Sequence, residues 1–184
     1  LDLDAAGRGL KVLLCEKDDL GAATSSASSK LIHGGLRYLE QYEFRLVAEA
    51  LAEREILLRC APHIVHPMRF VMPHVPDLRP AWMIRAGLFL YDYLARRQTL
   101  PGSHGINLKQ GPYSAGLKTG LGKGFIYSDC RVDDARLVIA NARAAADLGA
   151  TIVTRTACIS ARRSGRRWRV TLRADDGTQT EIVA

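Results

Sequence analysis

The chain has little of what marks several protein classes. Its longest apolar run, Trp82 to Leu94, is broken by Arg85 and Asp92 and is too short to cross a bilayer core of about 30 Å. Four scattered cysteines (Cys15, Cys60, Cys130, Cys158) make no CxxC, which excludes a disulfide framework and a zinc ribbon and favours a reducing compartment. No leader pattern opens the chain, because Asp2 and Asp4 interrupt the apolar residues there. Aromatics are only 7% of 184 residues, but 47% are apolar and 24% charged, an ordinary globular balance that excludes a disordered tail or a collagen-like repeat. Leu1 opens inside a helical pattern and Ala184 closes within an apolar run, so the chain reads as a piece of a longer protein.

Basic residues exceed acidic ones by 26 to 19, and 20 of the 26 are arginine. Six arginines and no acid fall between Arg162 and Arg173. Such a run suits nucleic acid or an anionic surface, but no aromatic platform or binding motif accompanies it, and a solvated hairpin explains it as well.

Residues 1–9 read as the end of a helix closed by glycine, followed at once by the apolar strand KVLLC and an acid, Glu16. Helix, glycine, strand and terminal acid form the second half of a βαβ unit. Phe44, Val47, Leu51 and Leu58 keep helical spacing over 40–61, until Pro62. Five of seven prolines lie in 62–80, with MRFVM and HV as short strands between them, and 82–97 reads as a helix. Residues 100–124 read as glycine-rich loop. A second helix starts at Asp133 or Asp134 and runs to Gly149, then TIVTRT reads as one strand. WRVTLRA and TEIVA flank DDGT as a hairpin.

This layout predicts an α/β fold. Residues 1–61 and 131–184 form part of a Rossmann-like cofactor domain, and 62–130 form an inserted α+β segment facing substrate.

Two places carry chemistry. Glu16, at a strand end, is placed to accept hydrogen bonds from a ribose diol. The segment TSSASSKLIHGGLRY offers hydroxyls at Thr24, Ser25, Ser26, Ser28 and Ser29, with Lys30, as donors to a pyrophosphate or flavin edge. Beside them His33 precedes Gly34-Gly35, where backbone can approach a flat ligand, and Arg37 suits a phosphate, with Tyr38 as a wall. His63 and His66 have HxxH spacing, but no carboxylate or cysteine completes a metal site. Cys130 reads as a small buried thiol, and Asp129, Asp133 and Asp134 as helix-capping acids.

The segment TSSASSKLIHGGLRYLE resembles the characteristic stretch of FAD-dependent, quinone-linked glycerol-3-phosphate dehydrogenases. The resemblance continues in EFRLVAEALAEREILLRCAPH, PMRFVMP, LRPAWMIRAGLFLYDYLARR and GFIYSDCRVDDARLVIANA, and the opening DAAGRG matches the tail of the family's flavin fingerprint. The family's glycine-rich phosphate loop and its later domains have no counterpart here, so the expected activity is that of the parent enzyme.

The resemblance implies oxidation of sn-glycerol 3-phosphate to dihydroxyacetone phosphate, with hydride passing to FAD and electrons to a quinone. Glu16 would hold the adenosine ribose. Thr24, Ser25, Ser28, Ser29, Lys30 and Leu31 would line the flavin side, with His33 near its ring and a candidate base. Arg37 would bind the substrate phosphate, with Tyr38 beside it. It further implies a protein of the cytoplasm at the inner face of the membrane, no nucleic-acid partner, and room for a homodimer. A glycerol-3-phosphate oxidase using oxygen, an amine or amino-acid oxidase, and an arginine-rich nucleic-acid-binding module are the alternatives.

Overall fold

A computed structural model describes residues 2–75, 77–117 and 120–184, so expectations touching Leu1, Pro76, Lys118 and Thr119 lie outside the described residues. In chain order the elements are α1 (Asp2–Gly7), β1 (Leu13–Cys15), α2 (Thr24–Ala27), β2 (Leu31–Ile32), a 3-10 turn (Leu36–Gln41), α3 (Phe44–Cys60), β3 (Val65–Pro73), α4 (Ala81–Tyr93), β4 (His104–Asn107), β5 (Lys123–Val132), α5 (Asp134–Asp147), β6 (Thr151–Val153), β7 (Thr156–Ser164), β8 (Arg167–Ala174) and β9 (Gln179–Val183).

They form two units. One holds the chain up to Ser29 and from Asp133 onward; the other is Lys30–Val132. The first division therefore lies well before the expected 61/62. Helix α3 belongs with the strands it packs on, since Val47 and Leu51 close a core with Tyr91 of α4.

In the first unit β1 and β6 pair in parallel, Leu13 opposite Thr151 and Cys15 opposite Val153, the βαβ geometry expected of a cofactor domain. Helices α1 and α5 come together through small residues, with Ala6, Ala145 and Ala150 buried and Leu3, Val12 and Ile152 packed on them. The Asp133 side chain caps α5 by accepting from the Arg136 N–H at 3.2 Å. The expected single strand TIVTRT is two: Arg155 turns left-handed, with φ 51°, and its guanidinium pairs with Asp19 at 3.3 Å. Strands β7, β8 and β9 form an antiparallel sheet, with DDGT turning between the last two.

In the second unit β5 is the spine. Strand β3 pairs along its whole length on one side, while β2 and β4 share the other side at opposite ends. MRFVM is thus part of a nine-residue strand, and Pro67 is tolerated because β3 is an edge strand. The stretch expected as loop contains β4, too short and glycine-broken to show periodicity.

Candidate active-site segment

In the first unit Glu16 directly follows β1, its N–H donating to the Val153 carbonyl at 2.9 Å, which locks the strand end to β6. One carboxylate oxygen accepts the Asp18 N–H at 3.0 Å. The residue borders a cleft of about 700 Å³ lined by Leu14, Cys15, Glu16, Gly21, Val138 and Asn141. A half-buried carboxylate at the carboxyl end of a parallel strand suits the ribose of a dinucleotide.

Part of the serine-rich stretch is engaged within the chain. Ser26 donates to the Gly21 carbonyl at 2.6 Å, and Ser28 hydrogen-bonds Asp134 on α5. Gly21 is left-handed (φ 74°), and a Cβ there would lie 3.2 Å from the Ala135 Cα. Ser28 therefore also ties α2 to α5, a role within the chain that a list of hydroxyls does not separate from ligand binding. Thr24 and Ser29 are exposed; Ser25 is half-buried.

The second unit carries Lys30 to Tyr38. Lys30 is left-handed (φ 59°), and its carbonyl accepts the Val132 N–H at 2.9 Å. Leu31 follows in β2, opposite Arg131. His33 is exposed, and its Nδ1 accepts the Gly35 N–H at 2.9 Å. With that lone pair engaged, neutral His33 carries its hydrogen on Nε2, which then donates. A base needs the opposite arrangement at its free nitrogen, so this geometry serves a donor rather than the expected base.

The two glycines also have another reason than the expected one. A Cβ on Gly34 would stand 2.4 Å from Leu51 Cδ2 and 2.8 Å from the Tyr91 ring. Gly35 is left-handed (φ 70°), and its Cβ would meet the Tyr38 ring at 2.4 Å. The flat groups these glycines admit are the chain's own rings. Tyr38 accordingly packs over the turn, with 45% of its surface exposed. Arg37 is exposed on the 3-10 turn and makes no hydrogen bond or ion pair among the described residues. It borders an apolar groove of about 640 Å³ with Leu36, Met72, Met83 and Tyr127, while Arg79 and Glu40 at the same groove pair with each other at 3.1 Å.

Behind this turn lies a buried polar network. Arg54 donates to Asp129 at 2.6 Å and to the Ser128 carbonyl at 3.1 Å. The Tyr91 hydroxyl donates to the same Asp129 oxygen at 2.7 Å and accepts the Gly34 N–H at 2.7 Å. Glu55 accepts the Thr99 N–H at 3.0 Å. Burial raises the Asp129 carboxyl above its ordinary value, opposed by the Tyr91 and Arg54 hydrogen bonds, and burial also raises the Tyr91 phenol. Asp129 is therefore no helix cap; of the three expected capping acids, Asp133 accepts from the α5 N-terminus and Asp134 bonds Ser28. A signal was available: the apolar stripe Val47, Leu51, Leu58 has its intervening slot filled by Arg54-Glu55, two charges on a buried face.

Comparison with known proteins follows the same lines. The family model described as DAO, FAD dependent oxidoreductase, matches residues 2–184. A glycerol-3-phosphate dehydrogenase of Pseudomonas tolaasii is 66% identical over 181 residues, covering 98% of this chain and 35% of the relative. A D-erythritol 1-phosphate dehydrogenase of Brucella abortus is 61% identical over 177 residues, 96% of this chain and 35% of the relative. The crystal structure of a glycerol-3-phosphate dehydrogenase from Bacillus halodurans, complexed with FAD, shares the fold at a TM-score of 0.70, with 24% identity over 100% of this chain and 29% of that one. The chain spans about a third of the length of the curated relatives it matches.

Proposed function

Since the chain belongs to the family of FAD-dependent oxidoreductases, we propose that it forms part of an enzyme that oxidises a polyol phosphate, with sn-glycerol 3-phosphate as substrate and dihydroxyacetone phosphate as product. The observation that carries the reading is Arg37: an exposed guanidinium without a partner among the described residues, on a turn held by Gly35 and backed by a buried network. A guanidinium matches phosphate oxygens with two parallel N–H donors.

FAD, when bound, supplies the acceptor for the hydride leaving the carbinol carbon. Glu16 accepts hydrogen bonds from the ribose, and the exposed Thr24 and Ser29 offer hydroxyl donors on the flavin side, with Ser25, Lys30 and Leu31 in the same segment. Arg37 orients the phosphate and Tyr38 closes the turn beside it. The hydroxyl proton passes to a general base, and His33, through Nε2–H, donates to the substrate oxygen once that proton has left.

The onward acceptor is a membrane quinone, reached by peripheral contact at the cytoplasmic face. Trp82, Phe89, Leu90 and Tyr93 on α4 are all exposed and support such contact, and among the described residues no helix is long and apolar enough to cross a membrane. Oxygen as acceptor is separated by assay: quinone reduction supports this reading, and stoichiometric peroxide replaces it with an oxidase.

A second substrate has support in sequence, because the relative named for D-erythritol 1-phosphate is nearly as similar as those named for glycerol 3-phosphate. Both substrates carry a phosphate, so Arg37 serves either. Turnover of the purified holoprotein with each compound decides. Arg37→Ala is expected to raise KM about 10- to 100-fold, the range of a lost charge-assisted contact, with Arg37→Lys recovering part of it. An unchanged KM in Arg37→Ala removes the phosphate role.

A further inference from the structure

The turn that presents His33 and Arg37 is too short to hold itself. Between β2 and the 3-10 turn there are three residues, His33, Gly34 and Gly35, and two of them have no side chain. Their backbone is instead held from below and from within. From below, Gly34 N–H reaches the Tyr91 hydroxyl at 2.7 Å; from within, Gly35 N–H reaches His33 Nδ1 at 2.9 Å.

The first of these bonds has a direction imposed on it. A phenol both donates and accepts. The Tyr91 hydroxyl hydrogen goes to Asp129 Oδ1, so its oxygen is left as the acceptor for Gly34. Asp129 is kept as an acceptor by Arg54, which donates to the same oxygen and lies 5.9 Å from the centre of the Tyr91 ring. Arg54, Asp129 and Tyr91 are 4%, 3% and 3% exposed, so water does not compete for these bonds. The chain of donors runs one way from Arg54 and Tyr91 into Asp129 and from Gly34 into Tyr91.

We propose that Tyr91, oriented by Asp129 and Arg54, is a positioning residue: it holds Gly34 so that Gly35 N–H caps His33 Nδ1, leaving His33 to act as a hydrogen-bond donor through Nε2. The functional part rests on the substrate reading above; the positioning part does not. Gly34 fits this role because a methyl there would strike the Tyr91 ring and Leu51 and push the amide off the hydroxyl. The exposed edge of His33 then keeps one polarity. A donor at that position stabilises an oxygen that gains negative charge, whereas a ring free to exchange tautomers would do so only part of the time.

The test is Tyr91→Phe in the purified protein, which keeps the ring and removes one hydroxyl. Nitrogen-15 NMR of His33, amide exchange at Gly34 and Gly35, and kcat and KM with glycerol 3-phosphate are measured together. The expected result is a cooperative fold in which Gly34 and Gly35 exchange about tenfold faster relative to the α3 amides, as one lost hydrogen bond implies. His33 nitrogen shifts move toward tautomer averaging, and kcat falls while KM stays within about twofold, because Arg37 is untouched. Asp129→Asn, which keeps an acceptor for Tyr91, retains the wild-type His33 spectrum. Unchanged His33 nitrogens in Tyr91→Phe, or equal acceleration of all amides in α3 and β5, overturns the proposal by reducing Tyr91 to a packing residue. If the unmodified holoprotein fails to turn over glycerol 3-phosphate, the substrate reading falls, while the exchange and nitrogen data still decide the positioning.

Discussion

Replacing Arg54 by methionine tests whether the buried network behaves as an ion pair or as packing. The residue is 4% exposed, and its guanidinium donates to Asp129 at 2.6 Å and to the Ser128 carbonyl at 3.1 Å. Methionine preserves much of the stem but leaves Asp129 with the Tyr91 hydroxyl as its remaining side-chain donor. Breaking one side of a buried pair costs about 3–5 kcal/mol, because the surviving charge stays out of water. With a urea slope of about 2 kcal/mol/M, a loss of about 4 kcal/mol moves the midpoint down by about 2 M. Arg54→Met with Asp129→Asn removes both charges of this pair and keeps an acceptor for Tyr91, while Glu55, 3.9 Å from Arg54, stays buried without its cation, so the double variant recovers part of the loss.

The pH dependence supplies a second handle. Burial already raises Asp129, and Arg54 opposes it, so in Arg54→Met the carboxyl titrates higher still. A carboxyl with a raised folded value stabilises below its unfolded value and loses that contribution as pH rises through the folded one. The deficit of Arg54→Met is therefore smallest near pH 4 and grows toward neutrality. A single-variant cost below about 1 kcal/mol with an unchanged slope, or a double variant no better than the single, refutes the reasoning.

Gly34→Ala places a methyl 2.4 Å from Leu51 Cδ2; overpacking of this kind costs about 1–3 kcal/mol and lowers Tm by roughly 5 °C, read by calorimetry. Cys130 is fully buried and its thiol is pushed up to about 11, chiefly by burial, so iodoacetamide at pH 8 labels the exposed Cys60 and Cys158 and spares Cys130. Its raised value also predicts stability that is intact below about pH 9 and falls as pH rises toward 11, followed by urea midpoints. Glu16→Gln weakens FAD binding about tenfold, near 1.4 kcal/mol, in a flavin fluorescence titration of the deflavinated protein; an unchanged Kd removes the ribose assignment.

Local order was legible in the chain wherever neighbours in sequence decide it. Leucine and valine at helical spacing define α3, Asp133 caps α5, DDGT turns the β8–β9 hairpin, and a short apolar strand ending in Glu16 signals the parallel pair. These features depend on periodicity and capping, which a few adjacent residues carry. Tertiary structure alone decided which long-range partner each polar residue takes. Asp129 and Arg54 are 75 positions apart, and only the packing of α3 and α4 on β5 makes their union a buried pair. The same packing explains Gly34 by a tyrosine 57 residues away, and within the other unit the approach of α2 to α5 gives Ser28 a partner 106 residues distant. A side chain's chemistry is written in its type, but its protonation, its tautomer and its role depend on what lies against it, and that is settled by the fold.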